Sequence, residues 1–245
     1  MAHHFFMPGK IDLGVPVTLE GENAHHARNV LRLRPGDRIT LADSTGQGYM
    51  AAVVAVEKGR VVVSLKPPLA SPEPRLQISL YQGWPKGDKM DFIIEKNTEL
   101  GVAQIGVLVT ERSIPRPDQG VIGRRRDRWQ QKALAAARQS RRHLIPPVNG
   151  PLDLAAALAA IKPGTLLLVP WEQEHACNLR TVLETSAVKQ GVAVLIGPEG
   201  GLSPAEINLI SAHGGIPVTL GPRILRTETA GLVCIAAIMY AMGEM

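Results

Sequence analysis

Cysteine is nearly missing from this chain: its 245 residues hold only Cys177 and Cys234, with no CxxC pair. That excludes a disulfide scaffold and a Cys-based zinc site, and it fits a reducing cytosol. No HExxH or comparable histidine spacing is present, so no metal is expected. Aromatic residues make up only 4% of the chain, so the core must be built from Leu, Ile, Val and Ala. Neither G-x-x-x-x-G-K-[ST] nor G-x-G-x-x-G occurs, which argues against a P-loop NTPase and a Rossmann dehydrogenase. The longest apolar run, 230–242, is too short to span a bilayer. The opening "MAHHFFMPGKIDLG" lacks the basic and apolar regions of a signal peptide. A soluble, cytoplasmic protein without a membrane partner is expected. There is no internal repeat and no low-complexity segment.

What is present reads as two parts. Apolar residues at 45% and charged residues at 20% suit a globular chain with a real core. "PPLASPEP" at 67–74 holds four prolines and reads as a stiff linker, taken as 67–75. Before it, over 1–70, "DRITLADS" and "GYMAAVVAVEKGRVVVSLK" alternate apolar and polar residues, with Glu57-Lys58-Gly59-Arg60 as a hairpin turn. One short helix, around Glu22 to Leu33, precedes these strands. A small β-barrel or sandwich is expected. After the linker, over 76–245, short apolar runs ("LQISLYQG", "AQIGVLVT", "TLLLVP", "VAVLIG", "IPVTLG") alternate with helical stretches at 88–101, 124–142, 151–161, 178–189 and 203–213. That pattern predicts an α/β unit with a parallel sheet covered on both faces and a ligand at the strands' carboxyl ends.

Two turns mark that end. "AVLIGPEGGLSPAEI" at 193–207 runs from a strand through Gly197, Pro198, Glu199, Gly200 and Gly201 into a helix start. There Ser203 caps, Pro204 follows and Glu206 completes a capping box. The glycines allow positive φ and close approach of a ligand to the main chain. "VTLGPRILRTETAG" at 218–231 repeats the scheme with Gly221-Pro222 and a helix from about Thr227. Side by side, two such turns offer backbone N–H and C=O groups that suit a purine base and a ribose better than a triphosphate.

With "LIGPEGGLSPAEI" and "LGPRILRTETAGLVCIAAI" in view, the chain resembles the knotted SPOUT superfamily of RNA methyltransferases. More closely, it resembles the bacterial family that methylates N3 of a uridine in 16S ribosomal RNA. Further matches lie at "HHARNVLRLRPGD" (25–37), "KGDKMDFIIEKNTELGV" (86–102), "TERSIPR" (110–116) and "RWQQKALAAARQS" (128–140), so the resemblance covers nearly the whole chain. It departs from the family pattern at His4, in place of an arginine, and in "ARQSRR", both read as touching the RNA face. The resemblance implies a C-terminal trefoil knot, a PUA-like RNA-binding N-terminal barrel and an obligate homodimer whose site draws on both subunits. It implies S-adenosylmethionine (SAM) as cofactor, held by Leu168, Val169, Pro170, Ile196, Gly197, Pro198, Glu199, Gly200, Gly201, Leu220, Gly221, Pro222, Ile224, Leu225 and Arg226. A tRNA-directed SPOUT methyltransferase and a non-catalytic RNA-binding assembly factor stand as alternatives.

Charge is distributed to match an RNA partner. The net charge is +5, and 124–142 carries seven arginines and Lys132 against Asp127 alone. Arginine's planar fork suits phosphate. Arg28, Arg32, Arg34 and Arg38 form a second cluster. Arg28, Arg32, Arg34, Arg124, Arg125, Arg128 and Arg138 are therefore the expected contacts to 16S rRNA in the small ribosomal subunit. His25-His26 reads as structural or as a phosphate contact. The stretch 230–242, apolar nearly all round, reads as core or subunit interface, with Cys234 a small hydrophobe. For the chemistry, a methyl on a sulfonium is already activated, so the work is positioning and charge stabilisation on the uracil ring. Arg226 is the expected cation, and Glu199 and Glu228 the expected carboxylates for polar contact or proton removal.

Overall fold

The computed structural model describes residues 3–115, 119–186, 188 and 190–245. Arg116, which ends the 110–116 motif, and residues 187 and 189 of the expected 178–189 helix lie outside these. Two compact units are present: Met1–Glu73 with Ala137–Ile145, and Pro74–Ala136 with Pro146–Met245.

The first unit is a five-stranded sheet. Its strands are β1 (His3–Phe6), β2 (Val17–Glu20), β3 (Arg38–Ala42), β4 (Gly48–Glu57) and β5 (Arg60–Pro68), in the order β1-β3-β4-β5-β2. Only β1 runs parallel to its neighbour. Irregularities in the β4–β5 pairing at Tyr49/Ala51 and Val53/Ala55 curl the long hairpin. The expected turn forms: Glu57 pairs with Arg60 across Lys58-Gly59, and Gly59 takes φ 86°. Phe5, Leu19, Ile39, Leu41, Val61 and Val63 fill the core. The expected single helix is shorter and changes form. Helix α1 (Gly21–His25) widens into a π-helical turn, His26–Val30, where the Leu31 N–H donates to the His26 carbonyl. Arg32 then ends it at φ 53°. His4 is buried, its Nδ1 2.8 Å from the Thr40 hydroxyl and its ring stacked on His143, so it does not present itself to an RNA face as expected.

The linker is more than a spacer. Its Glu73 accepts from Arg142 Nη2 at 2.6 Å and from the backbone N–H of His143 and Leu144. Arg142 and His143 are themselves buried, so the pair is well shielded from water.

The second unit is a six-stranded parallel sheet: β6 (Ile78–Gly83), β7 (Gln104–Val109), β8 (Val148–Asp153), β9 (Leu166–Pro170), β10 (Val192–Ile196) and β11 (Ile216–Val218). The order is β11-β9-β10-β6-β7-β8. Its helices are α2 (Lys89–Glu99), α3 (Gln119–Ser140), α4 (Leu154–Ala160), α5 (Leu179–Thr185), α6 (Pro204–Ala212) and α7 (Thr227–Ala241). The central strands are apolar and buried along their length, as a sheet covered on both faces requires. The helix expected over 151–161 begins only at Leu154, because Asp153 caps it and 148–153 is an edge strand, where proline is tolerated. Among the described residues no helix is long and apolar enough to cross a membrane.

Candidate functional site

The carboxyl ends of β9, β10 and β11 open into a cleft of about 640 Å³ lined by three segments: 170–172, 196–202 and 219–228. The two glycine turns meet there, but not side by side. Strand β9 lies between β10 and β11, so its own exit, Pro170-Trp171-Glu172, separates them. Leu168 and Val169 are fully buried in β9 and do not line the cleft, whereas Pro170 does. Ile196, Gly197, Pro198, Glu199, Gly200, Gly201, Leu220, Gly221, Pro222, Ile224, Leu225 and Arg226 all do.

The glycines act differently from expectation. Of the first turn only Gly201 takes positive φ, at 70°. A Cβ at Gly197 would lie 3.0 Å from the Gly201 carbonyl carbon, and one at Gly200 would lie 3.0 Å from Arg112 Cβ. These two are needed for close packing of the turn rather than for an unusual backbone. Gly221 combines φ 109° with open space where a Cβ would sit. The helix start after the first turn is as read: Ser203 and Glu206 form a full capping box. Glu206 also accepts the Glu111 N–H at 2.8 Å, and Arg112 donates to the Gly200 carbonyl at 3.1 Å, so the loop after β7 is tied to the turn.

Polar side chains that sequence reasoning missed hold the cleft together. Gln82, buried at the end of β6, donates to Thr227 Oγ1 at 2.8 Å, and Thr227 donates to the Gly197 carbonyl at 2.6 Å. Lys89, the first residue of α2, donates to Glu199 Oε1 at 2.8 Å and lies 3.5 Å from Glu228 Oε2. Both Glu199 oxygens also accept the Lys86 N–H. Burial alone would raise the Glu199 pKa, but the Lys89 hydrogen bond and the backbone N–H donors outweigh it and hold the carboxyl below its ordinary value. The Lys89 ammonium is raised in turn, chiefly by its hydrogen bond to Glu199. Arg226 is 83% exposed at the mouth, its Nη1 4.0 Å from Glu228 Oε1. The one signal that was readable is a glutamine in the buried run "LQISLYQG".

The arginines fall into distinct settings. Arg124 and Arg125 are exposed on α3, with Arg125 stacked 5.3 Å over Trp84, and they line a smaller pocket of about 370 Å³. Arg128 is committed to Asp91 at 2.7 Å and Asp88 at 3.1 Å. In the first unit Arg28, Arg32 and Arg34 are exposed, while Arg138 is half-buried and donates to Asn23 at 3.3 Å. Cys234 is fully buried in α7 and burial pushes its thiol up to about 12, as expected of an inert small hydrophobe.

A cleft of backbone groups at the carboxyl ends of a parallel sheet defines an α/β protein built to hold a small organic ligand there. A family described as an RNA methyltransferase domain matches residues 71–239, and one described as an RNA methyltransferase PUA domain matches residues 19–66. The chain belongs to this RNA methyltransferase family, as the two glycine-turn motifs had indicated. It is 32% identical to the ribosomal RNA small subunit methyltransferase E of Bacillus subtilis, over 91% of this chain and 89% of that one. A solved Neisseria gonorrhoeae ribosomal RNA small subunit methyltransferase E, bound to S-adenosyl methionine, is 34% identical over 98% of each chain, with a TM-score of 0.87. A Legionella pneumophila protein solved with SAM as its bound cofactor is 31% identical over 98% of each chain, with a TM-score of 0.86.

Proposed function

We propose that the protein transfers a methyl group from SAM to N3 of a uridine in the 16S rRNA of the small ribosomal subunit, in the cytoplasm. The observation that carries this reading is the cleft itself. Its backbone N–H groups at Leu220, Ile224 and Leu225 have no hydrogen-bond partner among the described residues, and neither has the buried Trp171 Nε1. Such donors await a ligand's acceptors. Open space at Gly221 leaves room for a ring, and Glu172 supplies negative charge for a cationic ligand. The residues present therefore fit SAM. When bound, it supplies a methyl already activated on sulfur. The chain's part is to orient it: segments 196–201 and 220–226 hold the cofactor, and Arg226 faces charge developing on the uracil ring.

The finer architecture belongs to the same reading. A trefoil knot is supported by the path of the chain, which passes from β9 to β10, returns beyond β9 to β11, then crosses back so that Thr227 reaches Gly197. A PUA-like barrel that binds RNA is supported by the curled sheet and the match over 19–66. A homodimer is supported by the outward face of α7, where Val233 and Tyr240 stand exposed, Tyr240 at 78%. Arg28, Arg32, Arg34, Arg124 and Arg125 are exposed cations for RNA, with Arg128 and Arg138 engaged within the protein. Calorimetry with SAM, followed by methyl transfer to small-subunit rRNA against tRNA, tests the reading. Transfer to tRNA alone would replace it, and absence of SAM binding would leave an RNA-binding factor.

A further inference from the structure

Two carboxylates, Glu199 and Glu228, line the cleft, and their surroundings differ. Glu199 accepts the Lys86 N–H with both oxygens, at 3.1 and 3.2 Å, and the Lys89 ammonium at 2.8 Å. Its acceptor capacity is spent on holding the first glycine turn to the start of α2. Glu228 stands in the first turn of α7. Its Oε2 is buried, 3.5 Å from Lys89 Nζ at the long limit of hydrogen bonding, and has no other partner among the described residues. Its Oε1 is 4.0 Å from the exposed Arg226. An ionised carboxylate offers about four lone-pair sites, so Glu228 keeps acceptor capacity that the protein leaves unused.

We propose that Glu228 takes the uridine N3 proton in the methyl transfer and that Lys89 is its positioning residue; this rests on the methyltransferase reading above. The uracil imide carries one proton on N3, and that proton must leave for N3 to bond to carbon. It passes to a Glu228 oxygen while the N3 electron pair forms the new N–CH3 bond. The electron pair of the broken S–C bond stays on sulfur. The products are a methylated, neutral imide and a protonated Glu228, which returns its proton to water through the open mouth. No oxidant, metal or further reactant enters the balance.

Lys89 serves both carboxylates with one ammonium. It stands between them, 2.8 Å from Glu199 Oε1 and 3.5 Å from Glu228 Oε2, and so fixes where the Glu228 carboxylate sits. Among the described residues the charged groups facing Glu228 are few. Lys89 comes from α2, Arg226 from the N-cap of α7 itself, and Glu199 from the β10 turn acts through Lys89. Strand β6 offers only the neutral Gln82, with Tyr81 packed in the core on the opposite face, and α5 spends Arg180 on its own Glu184. Among the described residues, removing Lys89 therefore leaves Glu228 with one solvent-exposed cation, Arg226.

The test is single-turnover transfer to small-subunit rRNA, with SAM and RNA saturating, and with SAM affinity measured on every variant. Glu228→Gln should transfer about 100-fold more slowly or worse and keep its SAM affinity. Lys89→Met should lower the transfer rate at saturating ligands while SAM affinity holds, Lys89→Arg should restore the rate, and Glu199→Gln should slow transfer less than Glu228→Gln does. A near wild-type rate in Glu228→Gln overturns the assignment, and a wild-type rate in Lys89→Met removes Lys89 from it. Lost SAM affinity in Glu228→Gln would make it a cofactor anchor and overturn it equally. A wild-type protein that binds SAM but leaves N3 unmethylated sinks the parent reading, and this one with it.

Discussion

Thr227 at the start of α7 donates a 2.6 Å hydrogen bond to the carbonyl of Gly197 at the exit of β10. The same hydroxyl accepts from the buried amide of Gln82, so one side chain joins the two glycine turns to the middle of the sheet. Thr227→Val should leave one N–H of the Gln82 amide without its acceptor, the Gly83 carbonyl keeping the other, at a cost of about 1–3 kcal/mol. Urea unfolding should show the loss, Thr227→Ser should recover it, and SAM affinity should fall with Thr227→Val. An unchanged midpoint would mean that water replaces the hydroxyl.

Glycine substitutions should separate two mechanisms. Gly197→Ala drives a Cβ into the Gly201 and Leu202 main chain, whereas Gly221→Ala meets no atom and instead strains a backbone at φ 109°. Each should cost about 1–3 kcal/mol, the first through overpacking and the second through the dihedral. Calorimetry should find SAM binding weakened in both, while hydrogen exchange in the N-terminal sheet stays as in the wild type. Unchanged affinity in both would detach the turns from the cofactor.

The glycine turns and the capping box were legible because each is local: glycine, proline, serine and glutamate act within a few residues of themselves. The Gln82–Thr227 and Lys89–Glu199 contacts join residues more than a hundred positions apart, and nothing in their local spacing announces the partner. Strand β8 escaped because "VNGPLD" has no apolar alternation and a proline inside it. Its pairing with β7 decides its form, a tertiary preference that overrides propensity. The two arginine clusters were visible as charge, but which arginines stay free depends on Asp88, Asp91 and Asn23, whose positions only the fold supplies.

RNA affinity should depend on those differences. Charge reversal at Arg124 and Arg125 should weaken binding and flatten log K against log salt by about one unit per lost phosphate contact. Arg128→Ala should change the slope less, because its charge is already balanced by Asp91 and Asp88. Filter binding across salt concentrations reads this directly. Equal effects at all three positions would show that the ion pairs open on binding.

The first unit should be acid-sensitive. Burial, and then the charge of neighbouring His143, lower the His4 pKa from 6.5 to about 4. A histidine kept neutral in the fold is protonated more readily when unfolded, so stability is full above pH 6.5 and drains as pH falls towards 4. The loss should approach about 3 kcal/mol. Hydrogen exchange at the β1–β3 amides should speed up over that range, and His4→Gln should flatten the dependence. A flat wild-type profile would contradict the burial of a neutral ring.

The account turns on which atom receives the methyl group. Purified protein, SAM carrying a labelled methyl and small-subunit rRNA, followed by nuclease digestion and mass spectrometry of the nucleosides, answers this in one measurement. The account predicts label in N3-methyluridine from 16S rRNA, and less of it in that nucleoside when Gly197→Ala protein is used. Label on a ribose hydroxyl or on another base, or label confined to tRNA, would contradict it.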